Sequence, residues 1–261
     1  MFLNKLNSLL GMLKLRSFIE LLRVSQWYKN LLIFIPLIFS LNFFNFKLFI
    51  ITLLGFFSLS FMSSSYYIIN DLKDIEKDSH HPEKKKRHIA SGRISKILAF
   101  LISLFLFFNS VFLALLLSLN FFFFILLLFI SSQLYIFYLR NIAFFDIIII
   151  SVNFIIRTVS GSFLLNVSVP YFLVLCAFFL SIFLVSGKRI SETDIKELER
   201  YRPSLEKQHR DTLTLMATIS VASVIIFFSI YSILISKPSL LITLPISFYL
   251  ILLYFNSVYH Q

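Results

Sequence analysis

The run "NDLKDIEKD", Asn70 to Asp78, concentrates oxygen ligands in a chain that is otherwise poor in charge. Asp71, Asp74 and Asp78 are spaced i, i+3 and i+7. On a continuous helix that spacing puts the three carboxylates on one face, with Asn70 beside Asp74. Three like charges on one stripe repel, and a divalent cation removes the penalty. Carboxylate oxygen suits a hard cation such as Mg²⁺, which usually binds through a small number of carboxylates together with substrate phosphates. Asn70, Asp71, Asp74 and Asp78 are therefore the candidate metal ligands, and the three aspartates the candidate catalytic residues. The competing reading is a solvated helix face neutralised by Lys73 and Lys77.

Cations that suit phosphate recur in other segments. Arg23, Gln26 and Asn30 repeat at i, i+3 and i+7, next to Lys29. Arg87 closes the run Lys84-Lys85-Lys86-Arg87, "YIFYLR" supplies Tyr135, Tyr138 and Arg140, and "SGKRISETD" supplies Lys188, Arg189, Glu192 and Asp194. Arginine binds phosphate as a bidentate fork, lysine as a point charge. Asp146, Asn153, Arg157 and Gly161 follow one another at steps of 7, 4 and 4, a single helical face. An arginine that deep in an apolar segment must face the interior and find a partner. Two partners fit: an asparagine or carboxylate on a neighbouring helix, or an anionic ligand. Trp27 and Tyr28 read as membrane-interface anchors, and His80, His81 and His88 as loop residues.

The elements that must position these groups are membrane helices. Among 261 residues, 58% are hydrophobic, 34 are Phe, 14% are charged, and the mean hydropathy is +0.88. That balance excludes an ordinary soluble domain. A span needs about 20 apolar residues. Eight are predicted: Leu31–Phe46, Leu48–Ile69, Ile97–Leu117, Phe121–Leu139, Phe144–Leu165, Tyr171–Ser186, Leu213–Ile235 and Leu240–Val258. With eight spans, 21 of the 24 Lys and Arg fall on one side, which the positive-inside rule makes cytoplasmic, N-terminus included. All 13 acidic residues lie in or beside the same segments. The expected fold is an all-α transmembrane bundle forming one domain over residues 1–261. Residues 1–25 are expected to form an interfacial amphipathic helix rather than a cleaved signal, and 70–96 and 187–212 cytoplasmic active-site loops. The basic excess is directed at phosphates and the lipid bilayer, with no nucleic acid partner. The lone Cys176 makes an internal disulfide impossible, and nothing in the sequence specifies an oligomeric state.

Carboxylates for a metal and cations for phosphates, at the mouth of an intramembrane cavity, point to a phosphorylated substrate meeting a lipid. The same residues resemble the UbiA-type membrane prenyltransferase superfamily, whose "NDxxDxxxD" motif after the second span is matched by Asn70, Asp71, Asp74 and Asp78. Within it, the chain is most similar to the polyprenyl-phosphate (decaprenyl-phosphate) phosphoribosyltransferases. The matching stretches are "RVSQWYKNLLIFIPL" (23–37), "NDLKDIEKDSHHPEKKKRHIASGRIS" (70–95), "LRNIAFFDIIIISVNFIIRTVSG" (139–161) and "GKRISE" (187–192). Three departures stand out. His88 occupies a position where the family usually has Pro, and Glu192 with Asp194 only approximates a second aspartate pair. The chain ends at "YFNSVYHQ", where relatives continue into a ninth span, so it is either truncated or closes its bundle with eight helices.

The resemblance implies a Mg²⁺-dependent transfer of 5-phosphoribose from 5-phosphoribosyl 1-diphosphate to polyprenyl phosphate, with release of diphosphate, at the cytoplasmic side of the plasma membrane and in the service of cell-envelope biosynthesis. On that reading Lys29, Arg87, Lys188 and Arg189 take the donor's phosphates, and Arg157 and Arg140 the lipid phosphate. Arg23, Gln26, Asn30, Asn70, Tyr135, Tyr138 and Glu192 complete the substrate site. An aromatic prenyltransferase with a prenyl diphosphate donor is the nearest alternative, and a lipid transporter a more distant one.

Overall fold

The computed structural model describes residues 18–81, 83–168, 170–193 and 208–259. Most of the expected interfacial helix 1–25, together with Asp194 and the body of the second cytoplasmic loop, lies outside the described residues. Those described form helices: α1 (Val24–Phe39), α2 (Phe46–Lys73), α3 (Ile75–His80), α4 (Lys96–Leu117), α5 (Leu119–Phe137), α6 (Phe145–Leu165), α7 (Tyr171–Thr193), α8 (Arg210–Leu234) and α9 (Leu244–Tyr259), the last entered through a tight turn Pro238–Thr243.

Local signals explain several boundaries. The Asn45 side chain accepts the Leu48 N–H at 3.2 Å and starts α2. Ser95 does the same for α4, accepting from Leu98 at 3.3 Å, and each replaces a hydrogen bond that a helix start otherwise lacks. Ser118, extended at φ −168° and ψ 138°, reverses the chain between α4 and α5. Asn166 ends α6 in the left-handed region at φ 52°, where asparagine is tolerated better than most residues.

Seven helices are long and apolar enough to cross a membrane, and Val24–Phe39 is a shorter apolar helix. The expected first span, Leu31–Phe46, is therefore displaced toward the N-terminus. Its residues Val24–Phe34 wind as a 3₁₀ helix, which rises about 2.0 Å per residue. With the α-helical turn that follows, α1 is roughly 30 Å long, close to the hydrocarbon thickness. The shift carries Gln26, Lys29 and Asn30 from the expected entrance into the helix itself. At the other end of the bundle, α7 runs on to Thr193, so Lys188, Arg189 and Glu192 are helical rather than part of a loop.

The bundle is apolar outside and studded with hydroxyls inside. Phe105, Phe108 and Phe112 on α4 are exposed, while Ser58, Ser65, Ser103 and Ser110 are buried. Ser58 and Ser110 each donate to the other's backbone carbonyl, at 2.9 and 2.7 Å, and Ser65 meets Ser103 at 3.1 Å. Small residues let α2 and α4 approach, and in lipid such hydrogen bonds substitute for a hydrophobic driving force between helices. Gly161 does the same for α6 and α1, since a Cβ there would lie 2.4 Å from the Ile33 carbonyl oxygen.

Candidate active site

α2 continues past its apolar run and carries Asn70 and Asp71 in its last turn. The backbone leaves helical geometry at Asp74 (φ −96°, ψ 11°), and Asp78 belongs to the separate helix α3. The continuous stripe expected from the spacing is thus broken at its middle member. Arginine reunites two of its three members and holds the third apart. Arg87 Nη1 donates to Asp71 Oδ1 at 2.9 Å and to Asp78 Oδ2 at 2.7 Å. Arg23 pairs with the same Asp71 oxygen. Asp74 turns to Arg140, which grips both its oxygens at 2.6 and 2.7 Å and reaches Asn70 Oδ1 at 3.4 Å. Asp71 and Asp78 are buried, at 7% and 4% exposure, so the acids are not splayed toward solvent.

Arg23 caps the start of α1 in a left-handed backbone conformation, φ 50°, and its guanidinium lies 5.0 Å from the centre of the Tyr67 ring. A non-glycine residue in that region stores strain of order 1–3 kcal/mol, a feature common at ligand sites. Beside Asp71 a cavity of about 370 Å³ is lined by Arg23, Gln26, Arg87 and His88, among others. His88 Nε2 lies 3.0 Å from a Glu20 carboxylate oxygen. In the same loop His81 Nδ1 accepts the N–H groups of Glu83 and Lys84, at 3.2 and 3.3 Å. Burial, and secondarily the Lys84 charge, pushes the His81 imidazole below its ordinary value, which favours the neutral ring that such acceptance requires.

A second polar layer lies deeper. Arg157 is buried and donates to Asn30 Oδ1 and to the Tyr66 hydroxyl, both at 2.8 Å, and to the Asn153 carbonyl at 2.7 Å. Asn30 in turn donates to Ser60 at 3.1 Å. This is the asparagine clasp, joining α6 to α1 and α2. Among the described residues Arg157 has no acidic partner, nor has half-buried Lys29, whose ammonium stands 5.8 Å from the Tyr28 ring centre. The face formed by Asp146, Asn153, Arg157 and Gly161 is buried along its whole length, as its spacing predicts.

Asp146 anchors a third cluster. It is fully buried, accepting Arg189 Nε at 3.0 Å and Gln208 Nε2 at 2.8 Å. Arg189 also donates to Glu192 at 2.8 Å. Arg189 and Glu192 therefore meet each other and the base of α6. Lys188 is exposed, Tyr138 is 70% exposed, and Tyr135 packs half-buried against the α2–α5 core.

The structure thus joins Asp71 and Asp78 through Arg87 with Arg23 beside them, pairs Asp74 and Asn70 with Arg140, and places Gln26 on the cavity wall. Glu20, Tyr66 and Gln208 are functional candidates that spacing alone did not identify. Tyr66 had a readable signal, one turn before Asn70 on the same helix; Glu20 and Gln208 act across separations of 68 and 62 residues and had none. The acids and Asn70 present only oxygen, the donor type of a hard divalent cation. Among the described residues no three acidic, histidine or cysteine side chains converge as a ready metal cage. Such a donor set fits a cation that takes its remaining oxygens from a substrate phosphate.

The UbiA prenyltransferase family matches residues 32–261. An uncharacterized protein, y4nM, from Sinorhizobium fredii is 36% identical over 149 residues, 57% of this chain, and the chain spans 29% of that protein's length. Decaprenyl-phosphate phosphoribosyltransferase from Mycobacterium tuberculosis is 27% identical over 220 residues, 82% of this chain and 73% of the relative. A UbiA homolog from Archaeoglobus fulgidus, solved with GPP and Mg²⁺, superposes with a TM-score of 0.73 at 18% identity, covering 92% of this chain and 86% of that one. With the matched region spanning nearly its whole length and a bundle of the same fold, the chain is a multi-pass membrane protein that belongs to the UbiA prenyltransferase family.

Proposed function

We propose that this protein moves 5-phosphoribose from 5-phosphoribosyl 1-diphosphate to a polyprenyl phosphate, releasing diphosphate, on the cytoplasmic side of the plasma membrane. The observation that carries the reading is the layering of cations. Arg23, Arg87 and Arg140 stand over the acids, while Lys29 and the buried Arg157 lie apart from them. A prenyl diphosphate brings one diphosphate group. The ribose donor and lipid acceptor together bring a diphosphate, a 5-phosphate and an acceptor phosphate, and they make use of both layers. The name of the mycobacterial relative supports the same choice.

On this reading Asp71, Asp74, Asp78 and Asn70 would hold Mg²⁺, which when bound would supply neutralising charge for the leaving diphosphate. Arg23, Arg87 and Arg140 bind that diphosphate through charge-assisted hydrogen bonds. Lys29 and Arg157 draw the acceptor phosphate toward the ribose, with Asn30 and Tyr66 fixing the Arg157 plane. An acceptor oxygen forms the new bond to ribose C1 as the C1–diphosphate bond breaks, through a carbon with oxocarbenium character. The attacking phosphate is already anionic at neutral pH, so no general base is required, and positioning with electrostatics dominates the barrier.

Membranes containing the expressed chain, supplied with polyprenyl phosphate, Mg²⁺ and ribose-labelled donor, should transfer label into the lipid fraction. Asp74→Ala should reduce that transfer at least about 100-fold, the loss expected when charge stabilisation of the transition state is removed. Prenylation of an aromatic acid from a prenyl diphosphate, with no ribose transfer, would overturn the reading.

A further inference from the structure

Each carboxylate of the motif is already in the grip of a guanidinium. Arg23 and Arg87 hold Asp71, Arg87 holds Asp78, and Arg140 clasps Asp74 with both arms. Two carboxylates faced by two arginines, and a third clasped by an arginine of its own, are formally neutral groups. A free divalent cation gains no net attraction on approaching them and must break charge-assisted hydrogen bonds to reach the oxygens. A diphosphate changes this balance, because its oxygens offer the arginines equivalent partners and its charge leaves the acids in excess.

We infer that divalent cation binding and diphosphate binding at this site are obligatorily linked, through exchange of Arg23, Arg87 and Arg140 from the aspartates to the diphosphate. The inference rests on the proposed diphosphate site, and it assigns these arginines a second task, the control of when the acids become metal ligands. Arg140 is central to the exchange. It is the one ion-pair partner of Asp74 among the described residues, and it also touches Asn70. The linkage is reciprocal by thermodynamic necessity: whatever factor the diphosphate adds to cation affinity, the cation adds to diphosphate affinity. One consequence is that donor and cation enter together, so the cluster does not hold a cation that diverts an incoming phosphate lipid.

The test is a binding measurement, independent of turnover. Full-length protein in detergent is titrated with Mn²⁺ by electron paramagnetic resonance, with and without saturating inorganic pyrophosphate, at matched free Mn²⁺. Wild type should bind Mn²⁺ at least about tenfold more tightly with pyrophosphate, within the usual range of coupling between linked sites. Arg140→Gln should tighten Mn²⁺ binding in the absence of pyrophosphate and shrink the linkage. Arg87→Gln provides the same comparison from the Asp71–Asp78 side, so the result does not depend on one variant folding. Equal Mn²⁺ affinity in wild type with and without pyrophosphate would overturn the inference, as would variants whose pyrophosphate-free affinity is unchanged. Linkage in a chain that transfers no phosphoribose would sink the substrate assignment alone. Phosphoribosyl transfer without linkage would sink this inference alone.

Discussion

Arg157 is a buried cation held by an amide, a phenol and a backbone carbonyl. Removing it leaves Asn30 Oδ1 with only the Ser63 hydroxyl, at 3.3 Å, and Tyr66 with only its own donation to Ser63, at 3.3 Å, so Arg157→Met should cost about 1–3 kcal/mol of stability, the penalty for underpaired buried groups. Arg157→Lys keeps the charge, but a compact ammonium cannot span partners that are met by three separate nitrogens of the guanidinium. It should retain more of the fold and lose most of the transfer; thermal melts in detergent run beside label-transfer rates separate the two effects. A lysine variant with wild-type rate would remove Arg157 from the acceptor site. At this scale the sequence was informative about residue type and weak about pairing. The spacing of Asp71, Asp74 and Asp78 picked out acids that the fold pairs with arginines, and periodicity placed Arg157 on a buried face. That Asp74 answers to Arg140, 66 residues away, was invisible, because such a pair depends on how α2 and α5 end side by side.

At the scale of elements, the close approach of α6 to α1 holds the two polar layers in register. Gly161→Ala would push a methyl group against the Ile33 carbonyl, 2.4 Å from the position of the new Cβ. Overpacking of this kind typically costs about 1–3 kcal/mol, and here it displaces the helix that carries Asn30. The variant should melt earlier and transfer more slowly, while Gly92→Ala, in a loop with nothing within 4 Å of its Cβ, should affect the bundle far less, its strain being confined to a local turn at φ 73°. Equal behaviour of the two would contradict the packing argument. Most spans were legible to within a few residues, since long apolar runs bounded by Asn45, Ser95 and Ser118 admit little else. The misplaced first span and the overlong α7 share a cause. Membrane helices do not stop where hydrophobicity stops, and both continue through polar residues of which Asn30 and Arg189 are buried against neighbouring helices. The break at Asp74 was equally hidden, with no glycine or proline to announce it.

At the scale of the molecule, composition announced the membrane, and among the described residues buried charged groups gather in the acid–arginine head, the Arg157 clasp and the Asp146 anchor. Among the described acidic residues, Asp71, Asp74, Asp78, Asp146 and Glu192 each pair with an arginine. On the proposed function, the head takes a diphosphate between its acids and its arginines. The most direct measurement is an experimental structure of the full chain with Mg²⁺ and a non-hydrolysable analogue of the ribose donor. The expected result is density for the diphosphate among Asp71, Asp74, Asp78, Arg23, Arg87 and Arg140, with the Arg140–Asp74 clasp opened. A donor bound elsewhere, with every one of those ion pairs intact, would contradict the account.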